Sequence, residues 1–228
     1  SSCENPLEEV LELADVYYDE LDKNKDLIRP VYSYADIESN RKAGLMSAML
    51  TVEEGGVCKG NPAFLRTLYR LGVRMLTLTW NFPNELGWPN LEVTGEGVDP
   101  ESFRPDFRKA NVNQGLTETG IAFVQEMEHL DVSHLSDAGF MDVLRVTKKP
   151  FVASHSNARA VCSWARNLTD DMIRLLAERG GVTGLNFCPA FLTDVPDGEA
   201  TYGSIAAIVE HAYRQCGGNR LPGAGNRF

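Results

Sequence analysis

The sequence predicts an α/β fold in which parallel strands alternate with helices. Three observations carry that expectation. Apolar runs of strand length alternate with stretches of helical apolar spacing along most of the 228 residues. The polar residues with chemical potential, Glu53, His134 and His155, each stand just past the carboxyl end of such a run, the face at which a (β/α)₈ barrel builds its site. Five strands are visible, ending near Glu53, Thr79, Ser133, Ser154 and Phe187, whereas a complete barrel has eight in about 250 residues. The expectation is a TIM-type barrel that is incomplete, with its first strands and its eighth strand missing, as a single partial domain over residues 1–228.

In chain order, Asn5 and Pro6 open a first helix, a capping residue followed by proline in the first turn. Leu7, Val10, Leu11, Ala14 and Tyr18 then recur at helical spacing. A connector runs through Asn24 and Pro30. Residues 48–52 form a short strand ended by Glu53-Glu54-Gly55-Gly56. Asn61-Pro62 caps the next helix, with Leu65, Leu68 and Tyr69 inward and Gly72 at its end. Residues 73–79 form a strand, and 81–113, rich in Pro, Gly, Asn and Asp, a long functional or mobile loop. Thr117 caps a helix carrying Ile121, Val124 and Met127. The strand that ends at Ser133 follows, then an amphipathic helix from Ser136 with Phe140, Val143 and Leu144 on one face. Lys148, Lys149 and Pro150 close that helix with a cationic last turn and a stop. After the strand through Phe151-Val152-Ala153, Thr169 caps a helix with Ile173, Leu175 and Leu176, closed by Gly180-Gly181. Residues 182–187 read as a strand, and a last helix holds Ile205, Ile208 and Val209.

Composition narrows the function. The net charge is −10 and the pI near 4.9, which argues against nucleic acid as a partner, because phosphate binding wants clustered Lys and Arg. Hydrophobic content of 43% supplies a core. Cys3, Cys58, Cys162, Cys188 and Cys216 contain no CxxC pair, which argues against a cysteine zinc site and for reduced thiols in the cytoplasm. No apolar run approaches the ~18 residues of a membrane span. The amino end, Ser1-Ser2-Cys3-Glu4-Asn5-Pro6, lacks the pattern of a signal peptide, and without Met it does not read as a natural start.

His134 and His155 lie 21 residues apart, with strand, helix and strand between and around them. In a parallel fold such strand ends share one face, so the two imidazoles can converge there, an arrangement that suits a metal. A lone histidine in such a place is more readily a hydrogen-bonded core or loop residue; two in register bring the metal reading level with that one. Glu53 ends its strand in the same way and offers a carboxylate, the alternative being a solvated Glu in a tight turn. One Glu and two His are three ligands of the kind zinc takes, with a position left for a water that becomes a nucleophile near neutral pH. Arg166, 11 residues after His155 and just before the Thr169 cap, can reach a substrate carboxylate or form a surface salt bridge at helix entry. His129 and His211 fall inside helical patterns and read as surface or packing residues.

Leu76-Thr77-Leu78-Thr79-Trp80-Asn81, Asp131-Val132-Ser133-His134, Ser154-His155-Ser156-Asn157 and Arg166-Asn167-Leu168-Thr169-Asp170 together resemble the zinc membrane (renal-type) dipeptidase family, most closely its bacterial branch. The resemblance runs from near Asn5 to about Glu210. It implies a binuclear zinc peptidase on an amidohydrolase-like barrel that cleaves dipeptides through a metal-activated hydroxide, located in the bacterial cytoplasm, with a homodimer as a further expectation. Glu53 matches the carboxylate that bridges both zincs and serves catalysis; Glu54, one residue further from the strand, is the weaker match. His134 and His155 match the two His ligands of one zinc. Arg166 matches a substrate-contacting arginine, and Trp80 stands where the family often has a substrate-contacting His. The sequence departs from the family elsewhere. The family's His-x-Asp pair for the other zinc precedes the point where this chain starts. The stretch Met127-Glu128-His129-Leu130-Asp131 is shortened. The tail from Gly217 lacks the Gly-x-Asp-Phe motif; truncation, a shifted reading frame and a true remnant are the alternatives for the missing ends, with a shifted frame the expectation for the tail. The expectation is an inactive fragment; the alternatives are a non-catalytic remnant that binds small peptides and a related amidohydrolase with a non-peptide substrate.

Overall fold

In the main sheet of this chain each strand is joined to the next by a crossover segment, so that successive carboxyl ends collect on one side. The computed structural model describes residues 5–92, 106–127, 129–195 and 202–218. The order of elements is α1 (Pro6–Lys23), β1 (Ile28–Pro30), α2 (Tyr34–Lys42), β2 (Met46–Ala48), β3 (Leu50–Glu53), α3 (Pro62–Arg70), β4 (Val73–Thr77), α4 (Glu118–Glu126), β5 (Leu130–Asp131), α5 (Asp137–Val146), β6 (Val152–Ala153), α6 (Asp170–Glu178), β7 (Val182–Thr183) and α7 (Tyr202–Gln215), with single turns of 3₁₀ helix after β3 and β7. Strands β3, β4, β5, β6 and β7 form one sheet in that order, every pair parallel. Among the described residues the sheet is open: β3 and β7 are its two edges. This is the incomplete β/α barrel that the sequence predicts.

The helix starts follow their capping chemistry. The side chains of Asn61, Thr117, Ser136 and Thr169 accept hydrogen bonds from the backbone N–H groups of Ala63, Gly120, Gly139 and Met172, satisfying donors that a helix leaves unpaired. Asn5 makes no such bond; Pro6 alone sets the start of α1.

Two elements differ from expectation. The connector after α1 contains β1 and α2, and β1 pairs in parallel with β2. Helix α2 carries little apolar periodicity; it is held at its start by Asp36, whose carboxylate accepts from the backbone N–H of Ser33 (2.8 Å) and Tyr32 (3.0 Å), the reciprocal half of a capping box. The strand expected at 48–52 is two strands that part at Met49, because β2 pairs with β1 and β3 with β4.

The carboxyl ends of β4 and β7 are shorter than the apolar runs suggest. Beyond β7 the chain is drawn off the ladder by Asn157, which accepts from the Asn186 N–H (2.9 Å) and donates to its carbonyl (2.8 Å). Beyond β4, Asn84 donates to the Leu78 carbonyl (2.9 Å). The described part of the long loop lies over the same face, bridging Gly87 to Leu116, Pro89 to Leu135 and Leu91 to Ala110.

The core lies between the sheet and α3–α7, with Phe123, Phe140, Phe151, Leu68, Leu76 and Ile208 fully buried. Phe140 and Phe151 meet edge to face at 5.5 Å, a preferred aromatic geometry. Six residues depart from expectation. Tyr69, Leu11 and Val209 are exposed, Tyr69 because its ring lies 4.3 Å beneath the Arg74 guanidinium, a cation–π contact that does not need burial. His129 falls between α4 and β5 instead of inside a helix. Lys148 and Lys149 lie past the end of α5 at Val146. No helix of the described residues is long and apolar enough to cross a membrane.

Candidate metal centre

Glu53 is the last residue of β3, His134 follows β5 by three residues, and His155 follows β6 by two. Parallel register brings all three to one face. Glu53 Oε1 lies 3.1 Å from His134 Nε2 and 3.3 Å from His155 Nε2, and the two Nε2 atoms are 3.1 Å apart. A tetrahedral ion with bonds of about 2.0–2.1 Å holds its ligand atoms about 3.3 Å from one another. The triangle therefore has the edge length of three corners of a zinc tetrahedron. Its donors, one carboxylate oxygen and two imidazole nitrogens, are a set that zinc accepts. Among the described residues, these three make up the group of His, Cys, Asp and Glu side chains able to share an ion.

The two histidines are held differently. His134 has φ 68, one of two non-glycine residues with positive φ among those described. This left-handed turn at the strand end re-aims its side chain, and such strain collects at functional sites. Its carbonyl accepts from the Asn90 N–H (2.7 Å) and the Thr79 hydroxyl (3.2 Å). The imidazole is nearly enclosed, and its Nδ1 has no hydrogen-bond partner. Burial pushes the His134 pKa down to about 4, against the opposing pull of Glu53, so the ring is neutral at physiological pH and able to donate a lone pair. His155 is supported through its side chain instead: Nδ1 lies 2.7 Å from the Ser154 hydroxyl, which lies 2.5 Å from Asp131 Oδ2. Glu53 is held well below the usual carboxylate range by its contacts with His134 and then His155.

Trp80 stands beside the centre, its ring centroid 6.2 Å from that of His134. Its backbone N–H donates to Glu54 (3.1 Å), so Glu54 shapes the turn and is not part of the metal triangle. Arg166 is 6% exposed and shares with His134 the lining of a small internal void. Its Nη1 donates to the Ser156 hydroxyl (2.7 Å), while Nε and Nη2 are buried with no partner. Burial lowers its pKa to about 10, against the attraction of Asp131 and Glu53, which still leaves a full positive charge at neutral pH. The salt-bridge alternative for Arg166 is not what the structure contains. That role belongs to Arg159, which forks onto Asp137 at the start of α5 (2.7 and 2.8 Å) and donates to the carbonyls of Ala165 and Asn167. His211 pairs with Asp170 (2.7 Å), away from the centre.

Sequence reasoning passed over Asp131, although a signal was present: a carboxylate inside an apolar strand must find donors. Asp131 is fully buried and accepts from the Thr77 hydroxyl, the Ser133 N–H, the Ser154 N–H and the Ser154 hydroxyl.

A parallel β/α sheet thus brings a carboxylate and two imidazoles together at its carboxyl face. The chain belongs to the membrane dipeptidase family (peptidase family M19), whose profile matches residues 2–225. It is 36% identical over 170 residues to an uncharacterized protein in the pqqA 5′ region of Klebsiella pneumoniae, covering 72% of this chain and 58% of that one. It is 31% identical over 192 residues to dipeptidase aclJ of Aspergillus oryzae, covering 82% of this chain and 41% of that one. Its fold is similar to the crystal structure of a metallo peptidase from Rhodobacter sphaeroides liganded with a phosphinate mimic of the dipeptide L-Ala-D-Ala, with a TM-score of 0.73, 27% identity, and coverage of 90% of this chain and 56% of that one. The chain thus spans little more than half the length of these relatives, or less.

Proposed function

We propose that this chain carries one half of a zinc dipeptidase centre: Glu53, His134 and His155 hold a zinc ion, and Arg166 and Trp80 address the dipeptide. The observation that carries the reading is the triangle of 3.1, 3.1 and 3.3 Å between their ligand atoms, at the end of three parallel strands in a chain of this family. A bound zinc supplies acidity to a water and polarises a carbonyl. The protein's part is to present neutral imidazoles, to keep Glu53 ionised as the catalytic carboxylate, and to bind the substrate. Two buried, partnerless N–H groups on Arg166 match the two oxygens of a peptide's terminal carboxylate. The Trp80 ring forms a wall beside His134. A phosphinate dipeptide mimic bound to the Rhodobacter relative supports a dipeptide as the substrate class.

Three ligands serve one ion, whereas the resemblance implies two. We therefore expect little or no dipeptide turnover by this chain, with zinc binding retained. The test is zinc stoichiometry by elemental analysis and calorimetry on the purified chain, beside a dipeptide hydrolysis assay. One zinc per chain, lost in His155→Ala, is the expected result. No bound zinc, or zinc unaffected by His155→Ala, overturns the site; brisk turnover overturns the inactivity.

A further inference from the structure

We propose that Asp131 and Ser154 are positioning residues: acting through the Ser154 hydroxyl, the buried Asp131 carboxylate fixes His155 with its proton on Nδ1 and its Nε2 lone pair bare toward Glu53 and His134. The inference rests on the reading that those three residues hold a metal ion.

The available protons assign the tautomer. Ser154 Oγ lies 2.5 Å from Asp131 Oδ2 and 2.7 Å from His155 Nδ1. A serine hydroxyl has one proton to give and two lone pairs. Asp131 accepts three further bonds, from the Thr77 hydroxyl (2.9 Å), the Ser133 N–H (2.9 Å) and the Ser154 N–H (2.9 Å), so it is an acceptor throughout. The Ser154 proton is then committed to Asp131, and the Ser154 oxygen faces Nδ1 with a lone pair. Nδ1 must be the donor. A neutral imidazole carries one ring proton, so Nε2 is left bare, and it is Nε2 that points at Glu53 (3.3 Å). The nitrogen available to a metal is set by what the other nitrogen bonds.

Placement supports the assignment. Asp131 ends β5, and its donors come from Thr77 of β4, from Ser154 just past β6 and from Ser133 just past its own strand. The His155 N–H donates to Ser133 Oγ (3.2 Å), so backbone and ring of His155 are both referred to the Asp131 strand. His134 has no equivalent: its Nδ1 is partnerless, and its backbone is held instead by Asn90 and Thr79. The relay acts on one histidine only, which gives the test an internal control.

The full chain, metal-free and labelled with ¹⁵N-histidine, is examined by NMR above neutral pH, and zinc affinity is measured by calorimetry on the same samples. Wild type is expected to show His155 as the Nδ1–H tautomer. Ser154→Ala is expected to lose that preference while the His134 signal stays in place, and to bind zinc about 10–100-fold more weakly, as loss of a residue supporting a ligand does. Ser154→Thr, which keeps the hydroxyl, restores both. Asp131→Asn removes a buried hub and risks the fold, so Ser154→Ala carries the test. His155 keeping its Nδ1–H tautomer in Ser154→Ala, or zinc affinity equal to wild type there, overturns the relay while the metal site stands. If wild type binds no zinc, the metal reading falls instead, and the tautomers alone decide whether Asp131 and Ser154 set His155.

Discussion

His134 concentrates the physical cost of this centre. Its left-handed backbone, φ 68, costs a non-glycine residue about 1–3 kcal/mol, and its imidazole is buried with Nδ1 unpaired. Burial lowers its pKa from 6.5 to about 4. The unfolded chain therefore takes up a proton at this residue before the folded chain does, and the sign follows. Stability of the metal-free protein is fully present above 6.5 and is lost as pH falls from there toward about 4, by on the order of 3 kcal/mol. Urea unfolding followed by circular dichroism at a series of pH values measures this, and His134→Gln should flatten the profile across that window. A midpoint indifferent to pH from 7 down to 5 would sink the idea. At this scale the sequence was most legible where a candidate site residue directly follows an apolar run, as Glu53, His134 and His155 do. The residues that hold them were harder to see. Ser154 and Asn90 are small polar residues with many structural uses, and what they do depends on neighbours from other strands. The left-handed turn at His134 leaves no trace in residue type, since no glycine marks it.

The elements were legible where local chemistry determines them. Thr117, Ser136 and Thr169 cap the helices they were expected to cap, because a side-chain oxygen before a helix needs no distant partner. Helix α2 was not read, because its residues form no apolar stripe and only the spacing of Ser33 and Asp36 announces it. The ends of β4 and β7 were overrun, because side-chain contacts of Asn84, six residues on from Leu78, and of the distant Asn157 take the backbone groups beyond the ladders. One element junction bears directly on the site. Gly184, next after β7, donates to the Ala153 carbonyl (2.8 Å), and its own carbonyl accepts from the Ser156 N–H (2.8 Å). A Cβ at Gly184 would lie 2.0 Å from the Ser154 carbonyl oxygen, a backbone atom that cannot swing aside. Gly184→Ala must push β7 from β6 at the level of His155. The expected cost is about 1–3 kcal/mol in chemical denaturation, together with weaker zinc binding. Wild-type stability and affinity would mean that the two strands part there freely, and that the close approach has no part in placing His155.

At the scale of the whole molecule, strand alternation and the carboxyl-face position of the polar residues were enough to foresee an open parallel sheet, because both follow from backbone geometry common to every β/α unit. The small β1–β2 sheet was missed, because its strands have three residues each and too little pattern to register. The proposed ion would tie this architecture together. Glu53, His134 and His155 come from β3, β5 and β6 and their following loops, and the unfolded chain has no reason to bring them within 3.3 Å of one another. A metal that binds the folded chain and not the unfolded one stabilises it by RT ln(1 + [L]/Kd), about 2.7 kcal/mol at a hundredfold excess over Kd. For a chain of this size that corresponds to a rise of about 5–10 °C in Tm. Thermal unfolding with zinc, with zinc and a chelator, and with magnesium should show the rise with zinc alone, and His155→Ala should abolish it. Magnesium serves as the control because it prefers six oxygen ligands in octahedral geometry, which two imidazoles and one carboxylate do not offer. An equal rise with magnesium would point to general charge screening of this acidic chain. An undiminished zinc shift in His155→Ala would place the ion somewhere other than the ends of β3, β5 and β6.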